Sequence, residues 1–254
     1  MNLSEQIILL IISFIANVLS AMAGGGAGLL QLPALIILGL PFGIALATHK
    51  VASVALGLGA TTCHLKQSSF DFKFASIILM TGLPGVFIGA SFILKVPDHI
   101  ANLSLGILTC SLGIFSAIKK DFGQQLHPKS RHLSGYIRGG MILFLIGILN
   151  GSLTSGTGLF VTLWLIYWFG LDYKTAIAYT LVLVGIFWNG VGAMTLGILG
   201  SIAWDWLPAL LIGSFAGGYI GAKLSIKKDN RLIKRLFELM TISVGIHLII
   251  RGLV

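Results

Sequence analysis

Residues 21–33 are AMAGGGAGLLQLP, in which three consecutive glycines, a fourth glycine and a proline interrupt an apolar run. Residues 151–158, GSLTSGTG, form a similar stretch in the second half of the chain. A helix that breaks inside a bilayer exposes backbone polar groups, which hydrocarbon does not tolerate unless protein or a water-filled cavity surrounds them. Two such breaks in corresponding halves are typical of a transporter's binding site.

The composition indicates a polytopic membrane protein. Hydrophobic residues make up 56% of the 254 residues and charged residues 10%, whereas a soluble domain carries about 25% charged residues. Ten apolar segments follow one another, and most have the roughly 17 to 25 residues that a spanning helix needs. They lie at about 7–23, 28–40, 44–65, 74–94, 100–118, 136–155, 157–170, 175–199, 204–226 and 232–250. The segments directly after the two breaks are shorter, which predicts a glycine-broken helical hairpin in each half.

The start of the chain has an alternative interpretation. An apolar run followed by Ala21-Met22-Ala23 resembles a secretory signal with its cleavage site. A signal peptide carries positive charge at its front, whereas the only charged residue before residue 20 is Glu5. We therefore expect a membrane segment here.

The two halves of the sequence are related by an internal duplication. Glycines of the first half recur in the second half at a nearly constant offset of 130 to 132 residues. The pairs include Gly26 and Gly156, Gly28 and Gly158, Gly39 and Gly170, Gly59 and Gly190, Gly85 and Gly217, and Gly89 and Gly221. Because each half has an odd number of crossings, the second half enters the membrane from the opposite side. We therefore predict an all-α polytopic membrane protein with two inverted repeats of about five hydrophobic segments, at 1–118 and 136–254, joined by a basic cytoplasmic linker at 119–135.

The basic residues indicate the orientation of the segments, because Lys and Arg accumulate in short cytoplasmic loops. With the N-terminus outside, the inner loops hold most of the 17 basic residues, and the outer side holds only Lys95 and Arg251. The inner residues are Lys66, Lys73, Lys119, Lys120, Lys129, Arg131, Arg138, Lys174, Lys223, Lys227, Lys228, Arg231, Lys234 and Arg235. We therefore predict a multi-pass protein of the cell (inner) membrane with both termini outside. The net charge of +9 is then a topology signal, and nucleic acid is not an expected partner.

Lys50 belongs to no loop. It lies in the third segment, roughly 9 Å along the helix from the preceding loop at the rise of an α-helix. Ionisable residues at this depth usually face a cavity, and Thr48 and Ser53 surround Lys50 with polar groups. Snorkelling of the ammonium to the outer interface is the alternative. The adjacent His49 is interpreted as a hydrogen-bond donor to a ligand, a proton carrier or a satisfied interior histidine.

The positions of the acidic residues favour an anionic substrate. All 8 Asp and Glu residues lie at segment ends, in loops or near the termini, whereas cation transporters and proton pumps commonly place a carboxylate at mid-membrane. Helix starts at the glycine breaks agree with this interpretation, because free backbone N–H groups and the positive end of the helix dipole attract negative charge.

Polar side chains crowd the second break and follow the first. Hydroxyls and amides bind oxyanions without full charge pairing, although helix-packing hydrogen bonds are the alternative explanation for such residues. We predict a substrate site formed by Gly24, Gly25, Gly26, Gln31, Thr48, His49, Lys50, Ser53, Asn150, Thr154, Ser155, Gly156, Thr157 and Tyr179.

Other kinds of chemistry are not indicated. The histidines lack a shared metal-ligand spacing, and no nucleophile with a base, no pair of carboxylates and no ATP-binding motif is evident. We therefore expect no bound metal, no cofactor and no enzymatic activity, since an intramembrane enzyme needs one of those sets. A purely structural membrane subunit would not need Lys50 or the hydroxyl cluster at 150–157.

The stretch AGGGAGLLQLPALIILGLPFGIALATHK, residues 23–50, resembles the first-half signature of the sulfite exporter TauE/SafE family. The resemblance extends over nearly the whole chain, and it implies a membrane permease for sulfite, sulfoacetate and related sulfur-containing or organic anions. It places Gly24, Gly25, Gly26, Pro33, Thr48 and Lys50 at motif positions. Relatives that carry a second-half lysine differ from this chain, which has Leu181 at the position paired with Lys50. This departure argues against symmetrical binding by two lysines and leaves a substrate of lower charge open.

We therefore predict a secondary transporter of small anions that exports sulfite or an organosulfonate such as sulfoacetate. A passive anion channel and a transporter of another organic anion, such as a carboxylate, are the alternatives. The expected partners are a small anionic substrate and the lipid bilayer, and a homo-oligomer stays open.

Overall fold

The computed structural model describes residues 3–64, 70–92, 98–118, 123–154 and 156–253. The described part of the chain is helical, as predicted, and each predicted apolar segment coincides with a helix or a run of helices. The elements are α1 (Leu3–Ala23), α2 (Gly28–Ile37), α3 (Phe42–His64), α4 (Phe72–Phe92), α5 (Asp98–Ile118), α6 (Leu133–Ser152), α7 (Thr157–Phe169), α8 (Tyr173–Tyr179), a π-helix (Thr180–Trp188), α9 (Asn189–Leu199), a 3₁₀ turn (Trp204–Trp206), α10 (Leu207–Lys227) and α11 (Asn230–Leu253). Six spans in this part of the chain are long and apolar enough to cross a membrane. The chain is thus a multi-pass membrane protein.

Both predicted helix breaks are present. The three consecutive glycines between α1 and α2 have φ angles of 87°, 129° and 98°, which side chains other than glycine rarely adopt. Between α6 and α7, Thr154 and Gly156 have φ angles of 58° and 76°. The helices that follow the breaks have only 10 and 13 residues, fewer than the roughly 20 needed to span a bilayer. As the sequence predicts, these two helices are short.

The span from Tyr173 to Leu199 is not a uniform α-helix. Its middle, Thr180–Trp188, forms a π-helix of 9 residues between α8 and α9. π-Helical turns widen a helix locally and occur frequently at functional sites. The predicted segment 175–199 is therefore confirmed as helical, and its change of helix type is a feature that the sequence did not predict.

Two helix pairs join the halves in the same way. Gly85 of α4 leaves no room for a Cβ against the carbonyl oxygen of Phe144 in α6, and Gly217 of α10 packs in the same way against Phe14 in α1. Along both pairs the residue numbers rise together, so α4 is parallel to α6 and α10 is parallel to α1. Small residues permit such close approach of membrane helices.

Two other contacts join the halves in antiparallel fashion. Gly106 of α5 faces Gly245 of α11, while Gly252 farther along α11 faces the earlier residue Leu103. The central helix α3 crosses the π-helix where a Cβ on Gly57 would lie 2.7 Å from the backbone of Gly185. The third helical spans of the two halves, which are the most buried of the six candidate spans, therefore meet in the interior.

The predicted linker packs on the end of the second hairpin. The backbone N–H groups of His127 and Lys129 donate to the carbonyl oxygens of Gly170 and Phe169, at 2.8 and 3.1 Å. The helix that follows begins at Leu133, slightly before the predicted start of the second repeat at residue 136. Five residues named in the predictions lie outside the described part of the chain: Lys66, Lys95, Lys119, Lys120 and Ser155.

Candidate functional site

The two helix breaks meet in the interior of the protein. A Cβ on Gly25 would lie 2.8 Å from the Cα atom of Gly158 at the start of α7, so the two backbones are in contact. Thr162 of α7 donates a hydrogen bond of 2.8 Å to the carbonyl oxygen of Gly24. The short helices α2 and α7 therefore begin beside each other, and neither N-cap residue caps its helix with a side chain.

A cavity of about 40 Å³ lies between the breaks. A single water needs about 10–15 Å³ by this measure, so the cavity accommodates a small group. The predicted site residues that line it are Gly25, Gly26, His49, Ser53, Asn150, Thr154 and Thr157. The wall also includes Ser20, Ala27, Gly28, Leu56, Gly158, Thr180, Leu181, Val184, Gly185 and Asn189. Residues from both halves thus form one cavity.

Lys50 lies behind the cavity wall and is completely buried. Its Nζ atom donates to the carbonyl oxygen of Asn150 at 2.8 Å and to the side-chain oxygen of the same residue at 3.3 Å. The side-chain oxygen of Asn189 accepts a third hydrogen bond at 3.4 Å. Lys50 does not snorkel to the outer interface, because its head group is held by these residues of the second half.

Asn150 connects Lys50 to the second break. Its Nδ2 group donates to the hydroxyl of Thr157 at 2.8 Å, and that hydroxyl donates to the carbonyl oxygen of Thr154 at 2.9 Å. The hydroxyl of Thr154 returns a bond of 3.2 Å to the carbonyl oxygen of Asn150. These bonds satisfy backbone groups that the break leaves without helical partners.

His49 belongs to a buried hydrogen-bond network in the first half. Its Nδ1 atom lies 2.7 Å from the side-chain oxygen of Gln31, which can only accept, so Nδ1 carries the proton. Its Nε2 atom lies 3.1 Å from the hydroxyl of Ser53, which then donates to it. The Nε2 group of Gln31 donates to the hydroxyls of Ser13 and Ser214 at 2.9 and 3.3 Å. Gln31 therefore supports the cavity from behind His49 without lining it.

Other predicted residues make contacts away from the cavity. The hydroxyl of Thr48 accepts a hydrogen bond of 3.0 Å from the backbone N–H of Ala203. The hydroxyl of Tyr179 accepts one of 2.8 Å from the backbone N–H of Asp71. Gly24 and Gly156 belong to the breaks but not to the wall. These residues hold the helices around the cavity in place.

The wall contains polar residues that the prediction left out. Ser20 lines the cavity, and its buried hydroxyl has no hydrogen-bond partner among the residues that the structure describes. Thr180 and Asn189 lie on the π-helix and at the start of α9. The position of Thr180 and Asn189 in an apolar segment after the break is a weak sequence signal. Ser20 precedes Gly24, the first residue of the first break, by four residues, about one helical turn. Proximity to the glycines along the chain was the signal that could have identified Ser20.

No carboxylate lines the cavity among the described residues. Over the same part of the chain, ion pairs join Arg131 to Asp71 at 3.9 Å and Lys234 to Glu238. None of these four residues lines the cavity. The polar groups beside the cavity are therefore uncharged, with the lysine head group directly behind them.

Comparison with known proteins agrees with this architecture. Residues 9–248 match the family described as Sulfite exporter TauE/SafE. A Haemophilus influenzae protein named "Probable membrane transporter protein" is 26% identical over 235 residues, which cover 92% of this chain and 90% of the relative. "Probable membrane transporter protein ORF9" of Sinorhizobium sp is 26% identical over 242 residues, or 95% of this chain and 91% of the relative. "Probable membrane transporter protein YunE" of Bacillus subtilis is 22% identical over 273 residues, with 97% and 98% coverage.

No solved structure matches the chain with significance. The family match extends over both helix breaks and both halves of the cavity wall, and the resemblance carried by residues 23–50 is thereby confirmed. The chain belongs to the sulfite exporter TauE/SafE family of membrane transporters.

Proposed function

We propose that the protein is a secondary transporter of small anions and that the anion binds in the cavity between the two breaks. The observation that carries this proposal is the chemistry of the wall. Amides and hydroxyls line the cavity, a buried lysine lies behind Asn150, and no carboxylate of the described residues takes part. Such a wall favours a negatively charged guest, because a positive centre raises its affinity where water is scarce.

The starts of α2 and α7 support the same charge preference. Gly28 is the first residue of α2 and Gly158 the second residue of α7, and both line the cavity. Helix N-termini present backbone N–H groups and the positive end of the helix dipole to an anion. Two of them at one cavity complement an oxyanion from both halves of the chain.

Sulfite or an organosulfonate such as sulfoacetate is the substrate that we propose for export. The support is the family to which the chain belongs, whose description names sulfite export. Another organic anion, such as a carboxylate, is a second candidate, because Leu181 stands at the position paired with Lys50 and leaves a single lysine behind the cavity wall.

We propose further that the two halves are inverted repeats. The antiparallel contact of α5 with α11, the last helix of each half, supports opposite orientations of the two halves. In this proposal the protein lies in the inner membrane of the cell. Both termini then face outward, and the linker faces the cytoplasm. Reporter fusions at residue 254 and near residue 125 test this, and a cytoplasmic C-terminus would overturn it.

The function is tested with purified protein in liposomes and a panel of sulfite, sulfoacetate, acetate and a cation such as choline. We expect saturable uptake of sulfite or sulfoacetate that is accelerated by the same anion on the opposite side, since a transporter exchanges substrate and a passive channel does not. Uptake of choline alone, or no uptake above empty liposomes, would contradict the proposal.

A matched pair of variants connects the flux to the cavity. Ser53→Ala removes a cavity hydroxyl and leaves the Nε2 atom of His49 without its donor, and we expect a roughly threefold to tenfold loss of flux, as for one hydrogen bond. Ser91→Ala removes a hydroxyl that donates to Phe87 O on α4, away from the cavity, and should leave flux unchanged. Equal effects of the two variants would count against this cavity as the site.

A further inference from the structure

The head group of Lys50 is enclosed by oxygen atoms of the second half. The ammonium group carries three N–H donors, and three acceptors surround it. They are the carbonyl and side-chain oxygens of Asn150 at 2.8 and 3.3 Å, and the side-chain oxygen of Asn189 at 3.4 Å. Lys50 is fully buried and does not line the cavity. In this structure the lysine therefore has no donor left for a substrate.

The carbonyl of Asn150 lies in the last turn of α6, which ends at Ser152. The last four carbonyls of a helix lack intrahelical partners and carry the negative end of the helix dipole. The backbone N–H of Thr154 bonds to the carbonyl of Leu149 instead of that of Asn150. The hydroxyl of Thr154 and the ammonium of Lys50 bond to the Asn150 carbonyl oxygen, at 3.2 and 2.8 Å. Lys50 therefore supplies the charged cap at the C-terminal end of a broken helix that belongs to the other half of the chain.

We propose that Lys50 is a positioning residue, a cation attached to the first half that holds the second break in its binding geometry. In transporters with broken helices, freed backbone carbonyls at helix ends commonly coordinate a coupling cation. Here the ammonium of Lys50 occupies such a set of oxygens. What the site binds rests on the proposed function, whereas the capping itself follows from the geometry alone.

The effect of the cap reaches the cavity wall. Because Lys50 holds the side-chain oxygen of Asn150, the amide nitrogen of Asn150 is directed to Thr157, 2.8 Å away. Thr157 in turn bonds to Thr154. Without the cation, the helix end and the two amide oxygens would lose their common partner, and the orientation of the wall would no longer be fixed.

The stem of Lys50 fills a tight channel. A Cβ on Gly192 would lie 2.8 to 3.0 Å from the Cδ, Cε and Nζ atoms of Lys50. Lys50→Ala would therefore leave a slot with the shape of n-propylammonium, with three oxygens at its end. Lys50→Met would fill most of the same slot with an uncharged chain. These two variants form a matched pair.

The first test measures thermal unfolding in detergent without substrate anions. We expect both variants to unfold several degrees below the wild type, because the helix end loses its cap. Addition of n-propylammonium should raise the unfolding temperature of Lys50→Ala and leave Lys50→Met and the wild type unchanged, and 1-propanol should have no such effect. If Lys50 instead served only to contact the substrate, it would be unpaired without anions, and its removal would not lower stability. Unchanged or higher stability of Lys50→Met would therefore overturn the proposal.

The second test measures anion flux in liposomes. We expect n-propylammonium to raise the flux of Lys50→Ala at least tenfold and to leave the flux of Lys50→Met unchanged. If wild-type liposomes transport no anion, the proposed function fails, while the unfolding measurement still decides the capping role. Lys50→Ala should be prepared in the presence of n-propylammonium, and a protein that cannot be recovered even then, or that shows no response to the amine, contradicts the proposal.

Discussion

The two halves of the chain share a helix break and differ in the side chains that pack behind it. Behind the first break, Gln31, His49 and Ser13 form a buried hydrogen-bond network. The positions 130 or 131 residues later are Val161, Thr180 and Leu143. A break requires only residues that tolerate positive φ and close backbone contact, whereas binding requires particular polar groups. The backbone feature is therefore present twice and most of the polar chemistry once.

The asymmetry makes each half depend on the other. Lys50 belongs to the first half, but all three of its acceptors belong to Asn150 and Asn189 of the second half. The second half contributes Thr157 and Thr154 to the wall, whereas the first contributes His49 and Ser53. A single half would have a break without a cap, or a lysine without acceptors. Neither half alone can therefore form the site.

The contact between the breaks should give the largest effect. Gly25→Ala places a methyl group against the Gly158 backbone, 2.8 Å away, at a φ of +129°. Strain at such a φ costs about 1–3 kcal/mol, and overpacking costs a similar amount, so we expect a loss of stability of about 2–6 kcal/mol and no measurable flux. Thermal unfolding and liposome flux measure these effects.

Gly39→Ala is the matched control for this substitution. Gly39 also has a positive φ, +105°, but a Cβ there meets nothing within 4 Å. The loss of stability in Gly39→Ala should be limited to the backbone strain of about 1–3 kcal/mol, and flux should be retained. If both variants behave alike, the contact between the breaks contributes nothing beyond the backbone conformation, and the two halves do not meet functionally at this point.

Removal of the lysine charge should give the next largest effect. Lys50→Met keeps most of the apolar stem and deletes the charge, so we expect a folded protein with flux reduced tenfold to a hundredfold, the ~1.4 to 2.8 kcal/mol of a charge-assisted hydrogen bond. Lys50→Arg should retain partial function. Flux of sulfite or sulfoacetate is compared at equal amounts of folded protein. Normal flux of Lys50→Met would mean that the second break keeps its binding geometry without the lysine.

The buried network of the first half can be replaced by residues of the second half. Gln31→Val and His49→Thr copy Val161 and Thr180. Each single substitution leaves buried partners unpaired and should lower the free energy of unfolding by about 1–3 kcal/mol. The double variant removes both partners, so its loss of unfolding free energy should be smaller than the sum of the two single losses by roughly 1 kcal/mol. Strictly additive losses, measured by denaturant titration in detergent, would show that Gln31 and His49 are not coupled.

Most of the fold could be predicted from the sequence. Apolar length locates the spans, and Gly24 to Gly26 and Gly156 locate the breaks, because both signals are local and strong in a lipid-soluble chain. The π-helix could not be predicted, because TLVLVGIFW is apolar after Thr180 and has no polar face to reveal its register. The π-helix packs against α3 at the close contact of Gly57 with Gly185, two residues that are distant in the sequence.

The site could be predicted only in part. Lys50 was identified because a charge inside an apolar segment is conspicuous, but Asn150 and Asn189 lie 100 and 139 residues away, and only the fold brings them to it. Ser13 and Ser214 are single hydroxyls in apolar helices, where packing hydrogen bonds are common. The sequence contained no signal that would connect them to Gln31.

The smallest effect is expected at the position paired with Lys50. Leu181 lines the cavity and is 2% exposed, and Leu181→Met changes its shape but neither its charge nor, to a first approximation, its volume. Such substitutions usually cost less than about 1.5 kcal/mol, so we expect stability to fall slightly and flux to stay within about threefold of the wild type. The measurement is the same liposome assay, run beside Lys50→Met so that both halves receive the same residue. If flux falls as far in Leu181→Met as in Lys50→Met, the anion contacts the apolar wall of the second half closely enough for shape to matter as much as charge. The difference between the halves would then lie in their polarity and not in their importance for binding.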